Sequence, residues 1–600
     1  MDNNKYRVKW DLERLYSGGS DSKQFRLLLE MVEIMIHKFE DEIKKMSLAL
    51  ITLDIANIKR MLDEATKIRA NLSEASSFIS CLLAINPKAS NASALQGNLS
   101  KFVSRFESIM KRIHKMLADI NDDRWGHLLT SKELMQFEFI LKEWREQGKY
   151  YLSEKEEDII SDLMADGYHA WGSLYCSFIN SLRVHIEIDG ETKELSFGQA
   201  FNLRSHSDPR IRQASHAALE KEWNKNQDVF AKILNHTAGY RLQIYKKRGI
   251  TNILDDPLRK NRMNEESLHR MWSVVEKFKQ PFVTYLNIKA KLMGNKEMHS
   301  YDFWAPVLKT SKKIPYDKAV DFILEHLSQF GTELEDFARQ AIHQDWVDSA
   351  DTPNKSAAAF CARFPLSGES RICLNYGERI TDVLTLAHEL GHAFHNHALQ
   401  KLNPLNTFYP LSIAETASIF FEMVILDAAL EGAKSDEEKL FLLDERLKRS
   451  VMNFMNIHSR FLFEKRFYEE RKEGFIPSIR LTQIMKEAID EAYARAFHSA
   501  SAYSWVWTPH FYITGSPFYN FQYTFGYLFS LSIYEEAKKH GLGYEKVYMN
   551  LLRDSGTMSI EDLVKRHLGK DITSEEFWEE GIKLCIRDVE DFNCLASKYL

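Results

Sequence analysis

Cysteine, proline and glycine are all scarce in this sequence. Its 600 residues include 6 Cys, 13 Pro and 25 Gly. No two cysteines form a C-x-x-C pair, and we interpret them as reduced, mostly buried thiols. Cys361 and Cys373 flank a predicted turn and could face each other, although two small core residues fit the pattern better. Because so few residues interrupt helices, the composition favours a mainly helical chain.

The chain also lacks blocks of one charge and long apolar runs. Its 79 basic and 85 acidic residues give a net charge of -6, and no cluster resembles a nucleic-acid arm or a polybasic membrane anchor. The N-terminal stretch has no apolar signal region, and no apolar run reaches membrane-spanning length. We therefore expect a cytoplasmic protein with neither a nucleic-acid nor a membrane partner, and the sequence leaves its oligomeric state open.

The length predicts more than one lobe, since 600 residues exceed what one hydrophobic core holds. Helical spacing dominates the first 180 residues, for example over 22–48. The alternation of Val184, Ile186 and Ile188 before Asp189-Gly190 then predicts a hairpin. We place a boundary just after this hairpin, which gives an N-terminal helical lobe over 1–200 and a second domain over 201–600. A cleft between the lobes is expected.

The strongest chemical signal is the string His388-Glu389-x-x-His392 within 381–400. This segment is a good helix with Thr381 or Asp382 available as its N-cap, and the i, i+4 spacing places both imidazoles on one face. Glu389 is rotated by about 100° and can reach a metal-bound water. The string predicts one zinc ion per chain, but it also occurs by chance, and a catalytic site needs a third protein ligand.

Glu415 is the predicted third ligand. It lies in a helix predicted over 411–430, which also carries Glu422 seven residues later. Carboxylates in such an apolar helix are costly to bury unless they meet a cation or a donor, so we expect Glu415 to bind zinc and Glu422 to orient a ligating histidine. The alternative is a solvated helix face. His395 and His397 are better explained as wall or core residues than as ligands.

These residues occur within longer motifs that resemble one family. The motifs are WDLERLY, SRICLNYGERITDVLTLAHELGHAFH, AETAS around Glu415, and HFYITGSPFYNFQY. Together they resemble the thimet-oligopeptidase family of zinc metallopeptidases, and within it the oligoendopeptidase F group, over nearly the whole chain. The resemblance implies a mainly α, two-lobed helical ellipsoid with a deep internal channel. It also implies cleavage of short peptides. The sequence itself predicts a small β-sheet next to the zinc-binding helix, because AAAFCARFP and SRICLNY within 356–376 are typical of strands and are separated by the turn-prone residues Ser367 and Gly368.

The resemblance also implies roles for individual residues. His388, His392 and Glu415 would ligate zinc and Glu389 would be the general base. A histidine and tyrosines would stabilise the oxyanion, and the matching positions are His510, Tyr519 and Tyr523, with Tyr512 as an outside candidate. The aromatic residues over 521–529 alternate as in a strand, whereas the family has a helix there, and we follow the family.

The sequence thus predicts a zinc endopeptidase of short oligopeptides, with 201–600 as its catalytic domain. We expect substrate to lie extended beside the strand around 371–376 and to add its backbone to that edge. Two alternatives stay open. One is a helical zinc carboxypeptidase, for which no arginine pocket for a C-terminal carboxylate is evident, and the other is a catalytically silent peptide-binding protein.

Overall fold

Helices make up most of the computed structural model, which describes residues 5–48, 54–188, 190–308, 313–353, 355–356 and 358–600. The α-helices are, in chain order, α1 (Lys23–Leu48), α2 (Ile55–Ile85), α3 (Ser90–Ala118), α4 (Asp122–Leu129), α5 (Glu138–Gly148), α6 (Glu154–Met164), α7 (Ala170–Ser181), α8 (Phe197–Asn202), α9 (Pro209–Lys247), α10 (Asp255–Lys260), α11 (Glu265–Lys277), α12 (Gln280–Leu292), α13 (Tyr316–Leu327), α14 (Thr332–His343), α15 (Ile380–Ala398), α16 (Leu411–Ala414), α17 (Thr416–Glu431), α18 (Asp436–Val451), α19 (Ile457–Arg471), α20 (Ser478–Ala492), α21 (Ser504–Trp507), α22 (Phe521–His540), α23 (Glu545–Asp554), α24 (Ile560–Leu568) and α25 (Glu575–Ala596). The prediction of a mainly α chain is confirmed.

The strands are short and form small separate sheets. They are β1 (Arg183–Ile188), β2 (Glu191–Ser196), β3 (Met298–His299), β4 (Val347–Asp348), β5 (Phe360–Phe364), β6 (Glu369–Cys373) and β7 (Phe497–Ser499). β1 and β2 form the predicted antiparallel hairpin, whose turn contains Gly190 at φ 81°. Asp189, the other predicted turn residue, lies outside the described residues.

The chain divides into two compact units. The first comprises Met1–Tyr151, Lys312–Ala428 and Glu536–Lys570, and the second comprises Leu152–Ser311, Ala429–Glu535 and Asp571–Leu600. Each unit is therefore discontinuous in sequence. The predicted domain boundary at residue 200 stays a prediction. Within the described residues, no helix has both the length and the apolar character needed to cross a bilayer, and the cytoplasmic location also stays a prediction.

In the first unit, α1, α2, α3 and α5 enclose a large apolar core that reaches the sheet. Phe364 and Cys373 join this core from β5 and β6. The helix that carries the predicted metal ligands, α15, packs on the same two strands. The small sheet therefore lies next to the predicted zinc-binding helix, as the strand pattern over 356–376 predicts.

The sheet has the order β4-β6-β5, which overturns the expected position of the substrate. β6 pairs antiparallel with β5 and parallel with β4, so it is the central strand. Beyond β6, Leu374 N–H donates to Asp348 O at 3.0 Å and Leu374 O accepts from Lys355 Nζ at 2.7 Å. The hypothesis that a peptide adds to the edge of residues 371–376 is wrong for residues 371–374, because β5 lies on one side of this stretch and β4 with Lys355 lies on the other.

The aromatic segment after residue 520 is helical, as the family predicts. α22 begins at Phe521, so the strand-like alternation over 521–529 is misleading. Nearly every position from Phe521 to Tyr534 is buried. A helix that is buried on all sides shows no polar face, so its sequence loses the helical period.

Candidate metal centre

α15 is fixed at its start by a carboxylate. The helix begins at Ile380, and the carboxylate of Asp382 accepts hydrogen bonds from Gly377 N at 3.0 Å and Arg379 N at 2.9 Å. Arg379 is the N-cap residue, so the predicted cap at Thr381 or Asp382 lies slightly too far along the chain. An acidic group in the first turn also stabilises the helix dipole.

The three predicted metal ligands meet in the first unit. One nitrogen each of His388 and His392 and one carboxylate oxygen of Glu415 all lie within 4.8 Å of one another. Glu415 Oε2 is 3.1 Å from His388 Nε2 and 3.5 Å from His392 Nε2. The helical spacing brings the two imidazoles together, with ring centres 4.8 Å apart, as the motif predicts.

Glu415 lies at a break between two helices. α16 ends at Ala414 and α17 begins at Thr416, so the predicted continuous helix over 411–430 is interrupted at the proposed ligand. The Ser418 hydroxyl donates to Glu415 Oε2 at 2.8 Å. Ser418 was not among the residues predicted from the sequence, although a serine three positions after an acidic residue can bond back to it.

Glu422 contacts the predicted ligand His388 on the side of the ring that faces away from Glu415, as the sequence predicts. Its Oε2 is 3.3 Å from Nδ1 of His388, the ring nitrogen that does not face Glu415. Such a carboxylate–histidine contact fixes the orientation of the ring and raises its basicity towards a metal. Glu415 and Glu422 therefore place negative charge on both sides of one imidazole.

The backbones of α15 and α17, the helices on either side of this centre, are in close contact at Gly391. A Cβ atom at Gly391, on α15 beside His392, would lie 2.4 Å from Ala417 O and 2.6 Å from Ser418 Cα on α17. Glycine is therefore required for the two helices to approach this closely. Gly391 was not predicted to have a role, although an isolated glycine inside a strongly helical pattern is a sequence signal for such a contact.

The protonation pattern of the centre favours a cation. Burial opposes charge on His388, but the hydrogen bonds to Glu415 and Glu422 outweigh it and raise its pKa to about 10. Burial lowers the pKa of His392 to about 4, so this imidazole is neutral and available as a ligand. Burial acts against the carboxylate of Glu415, yet His388 and His392 hold its pKa at about 2. The centre thus offers an anionic oxygen and a positive charge at His388 that a metal ion can replace.

Glu389 stands beside this centre with an unsatisfied oxygen. The residue is 5% exposed, and its Oε2 is buried with no hydrogen-bond partner within the described residues. Burial raises the pKa of Glu389 to about 7. An orphaned buried carboxyl oxygen next to a His-His-Glu donor set is what a site for a metal and its water requires, and the donor types are those of catalytic zinc.

Neighbouring histidines have structural roles. His395 is fully buried, bonds to Ser555 Oγ at 3.0 Å and stacks on Tyr409. His397 packs against Phe337. Neither belongs to the cluster of potential metal ligands, which agrees with their interpretation as wall or core residues.

The predicted oxyanion-stabilising residues cluster in the second unit. His510 and Tyr519 stack with ring centres 5.1 Å apart, and Nε2 of His510 is 3.3 Å from the hydroxyl of Tyr523. Tyr512 is buried, donates to Trp505 O at 3.0 Å and stacks on Tyr175. Tyr512 therefore belongs to the core, whereas the other three form one aromatic group.

Arg460, which was not predicted from the sequence, also contacts this aromatic group. Its Nη1 lies 3.4 Å from His510 Nδ1. Because an arginine can only donate, Nδ1 accepts and the proton of a neutral His510 is assigned to Nε2, which faces Tyr523. Burial, and then the charge of Arg460, lowers the pKa of His510 to about 4, which supports the neutral form.

Comparisons with known proteins give one family. Residues 202–584 match the model of peptidase family M3, and residues 117–183 match an oligopeptidase F model. An oligoendopeptidase F homologue of Borreliella burgdorferi is 24% identical over 96% of both chains. Oligopeptidase PepF of Bacillus subtilis is 21% identical over 81% of this chain and 73% of that protein.

Solved structures have the same fold. A putative peptidase from Chlamydophila abortus superposes with a TM-score of 0.82 at 21% identity and covers 98% of both chains. Oligoendopeptidase F from Enterococcus faecium superposes with a TM-score of 0.72 at 16% identity, over 96% of this chain and 100% of that chain.

Proposed function

This chain belongs to peptidase family M3, and from that premise we propose that it is a zinc-dependent endopeptidase of short oligopeptides. Family membership makes it a metalloendopeptidase, the enzyme class that the sequence predicts. The relatives named oligopeptidase and oligoendopeptidase support short peptides as substrates. The observation that carries the choice of site is the convergence of His388, His392 and Glu415 within 4.8 Å.

We assign the metal to these three residues. Zinc held by two imidazoles and one carboxylate would supply Lewis-acid chemistry and lower the pKa of a coordinated water. Glu422 fixes the His388 ring through Nδ1, and Ser418 fixes the carboxylate of Glu415. These two residues are expected to set ligand geometry without touching the substrate.

Glu389 is the proposed general base. In its ionised form, its unpartnered Oε2 accepts a proton from the attacking water and then returns it to the leaving amine nitrogen. Its position next to His388 on α15 places the carboxyl beside the donor set, while burial keeps its pKa about 7, near the pH of proton transfer. An amide at this position could not accept the proton.

His510, Tyr523 and Tyr519 are the proposed donors to negative charge on the carbonyl oxygen. This role comes from the resemblance, and the local geometry of the second unit supports it. The proton of neutral His510 faces the Tyr523 hydroxyl, so the hydroxyl can accept from His510 and use its own proton for another acceptor. A phenol polarised in this way is a suitable donor to an oxyanion.

The test is hydrolysis of peptides of graded length by the purified protein, followed by mass spectrometry. We expect internal cuts in short peptides, loss of activity after chelation and recovery with zinc. Peptides with an amidated C-terminus should still be cut internally. Removal of C-terminal residues one step at a time, with no cleavage of the amidated peptides, would instead identify a carboxypeptidase. Bound zinc without any cleavage would identify a silent binding protein.

Replacement of the base tests the assignment of Glu389. Glu389→Gln should keep the fold and the zinc content and lose turnover by roughly 100-fold or more, because only the proton acceptor is removed. Glu431→Gln makes the same change at an exposed position at the end of α17 and should behave as wild type. A Glu389→Gln protein with substantial activity would contradict the assignment.

A further inference from the structure

A cavity of about 190 Å³ lies inside the second unit. A cavity of roughly 150 Å³ accommodates a benzene-sized molecule, so this space fits one aromatic or branched aliphatic group with a small polar group attached. Its aromatic walls come from several helices and loops of the unit: Phe201, Trp223, Tyr301, Phe303, Trp304 and Trp507. Such walls favour a ligand with an apolar body.

The charged groups in the cavity are unbalanced. Among the described residues, Arg204 and Arg460 line it together with a single carboxylate, Glu220, so two guanidinium groups face one acid and the described lining carries a net positive charge. Glu220 is hydrogen bonded to Ser501, and neither arginine forms an ion pair in the part of the chain that the structure describes. Burial lowers the pKa of His216, the histidine of this lining, so it adds no charge at neutral pH.

The arginine side chains are held in place by contacts that leave donors unused. The guanidinium carbon of Arg204 lies 3.2 Å from the centre of the Phe201 ring, and its Nε donates to Phe201 O at 3.0 Å. Arg460 is 9% exposed and its Nε has no hydrogen-bond partner among the described residues. Two fixed guanidinium groups with unused N–H donors suit a planar acidic group.

Burial of these charges without a counterion is costly. Burial, and then the charge of Arg460, lowers the pKa of Arg204 to about 9, and burial lowers the pKa of Arg460 to about 10. A structural ion pair would have relieved this cost with an acidic side chain. The absence of such a partner within the described residues indicates that the neutralising group is a ligand.

The cavity adjoins the aromatic group that contains His510. Arg460 lines the cavity and its Nη1 also lies 3.4 Å from His510 Nδ1. A π-helical turn over Met452–Asn456 precedes α19 and contributes both of its end residues to the lining. π-Helical turns occur frequently at functional sites, because they distort the helix and so change the direction of its side chains.

We propose that this cavity binds a carboxylate of the peptide substrate, with Arg204 and Arg460 as donors and the aromatic walls around the adjoining side chain. The inference rests on the proposed function only in naming a peptide as the carrier of the carboxylate. The acid is either the C-terminal carboxylate or an Asp or Glu side chain, and both present the same planar group to the two arginines.

The first experiment measures binding without catalysis. N-acetyl-phenylalanine and its amide serve as probes for the zinc-loaded protein in isothermal titration calorimetry. We expect the acid to bind at least tenfold more tightly than the amide, and Arg204→Gln to abolish this difference. Arg210→Gln is the matched control, because Arg210 belongs to the same unit and its side chain is 84% exposed. If Arg204→Gln does not fold, Arg204→Lys keeps the charge but loses the planar fork, and should weaken acid binding.

Each outcome of this titration either supports or overturns the proposed carboxylate site. Equal affinity for acid and amide, or no binding of either, would overturn it. Acid binding that survives both changes at Arg204 would also overturn it, because the probe would then be bound elsewhere, for example at the metal. Acid binding that is lost in the Arg204 variants and kept in Arg210→Gln would support it.

A second experiment identifies the source of the carboxylate. Three peptides of one sequence are compared as substrates: a C-terminal acid without Asp or Glu, its amide, and the amide with one Glu. Preference for the first indicates the C-terminus, and preference for the third indicates a side chain; equal kcat/KM for all three would contradict the proposal. If no peptide is cleaved while the acid probe still binds through Arg204, the proposed function fails and the carboxylate site stands.

Discussion

Substitution of Gly391 by alanine should separate the two helices on either side of the proposed metal centre. The new Cβ would lie 2.4 Å from Ala417 O and 2.6 Å from Ser418 Cα, whereas a carbon–oxygen contact normally requires about 3.3 Å or more. Both neighbours are backbone atoms, so no side-chain rotation relieves the overlap. α15 and α17 must therefore move apart by roughly 1 Å at this point.

The size of the effect follows from the position of the ligands on either side of the contact. His388 and His392 are on α15, and Glu415 directly precedes α17. Zinc sites tolerate ligand displacements of only about 0.2 Å, and overpacking of this kind typically costs about 1–3 kcal/mol. If most of that cost falls on the metal-bound geometry, zinc binding weakens by roughly 10- to 100-fold.

The assay is competition for zinc between the protein and a chromophoric chelator, which needs no catalytic activity. Gly126→Ala is the control, because Gly126 is also helical, lies in the same unit and would have no atom of the described residues within 4 Å of its Cβ. It should leave zinc affinity unchanged and raise stability by about 0.5–1 kcal/mol. A folded Gly391→Ala protein with wild-type zinc affinity would refute the argument that this contact sets the ligand geometry.

Three further changes test other parts of the chain. Ser418→Ala removes the hydrogen bond to Glu415 Oε2 and should weaken zinc binding about tenfold in the same competition assay. Unchanged zinc affinity would contradict this role of Ser418. Tyr523→Phe should lower kcat by roughly 10- to 1000-fold with little change in KM; a change in KM alone would indicate a binding role. Burial, and then the charge of Arg69, lowers the pKa of His114 to about 3, whereas the unfolded chain takes up a proton below about pH 6.5. Stability should therefore fall with decreasing pH between about 6.5 and 3, by at most ~1.4 kcal/mol per unit from this group. The free energy of unfolding, measured with urea at pH 7 and pH 5, should decrease less for His114→Leu than for the wild type. An equal decrease for both proteins would contradict this prediction.

The part of the site that depends on local spacing could be predicted from the sequence. The i, i+4 relation of His388 and His392 fixes their shared face before any tertiary contact forms. Glu415 was found by the cost of burying its charge in an apolar segment, and Glu422 by its position seven residues later. The helix break at Glu415 left no signal, because AETAS contains neither proline nor glycine.

Long-range pairing could not be predicted in the same way. The strand segments around residues 360 and 370 were evident, but the parallel partner of β6 is only two residues long, Val347–Asp348, and precedes it by a long connection. Two residues are too few to show the alternation of apolar and polar side chains that predicts a strand. The predicted position of the substrate at residues 371–376 failed over 371–374 because the edge character of a strand is set by its neighbours.

The two cavity arginines are likewise brought together only by the tertiary fold. Arg204 follows α8 and Arg460 lies in α19, so no spacing rule relates them, and a pocket for a carboxylate was not evident in the sequence. Their presence bears on the choice between endopeptidase and carboxypeptidase, because both enzymes can bind a C-terminal acid. A carboxypeptidase requires that acid, so an amidated peptide should yield no product. An endopeptidase that binds the C-terminal acid only gains affinity from it, so the amidated peptide should then still be cut internally, at higher KM, and Arg204→Gln should bring the acid and amide to the same kcat/KM.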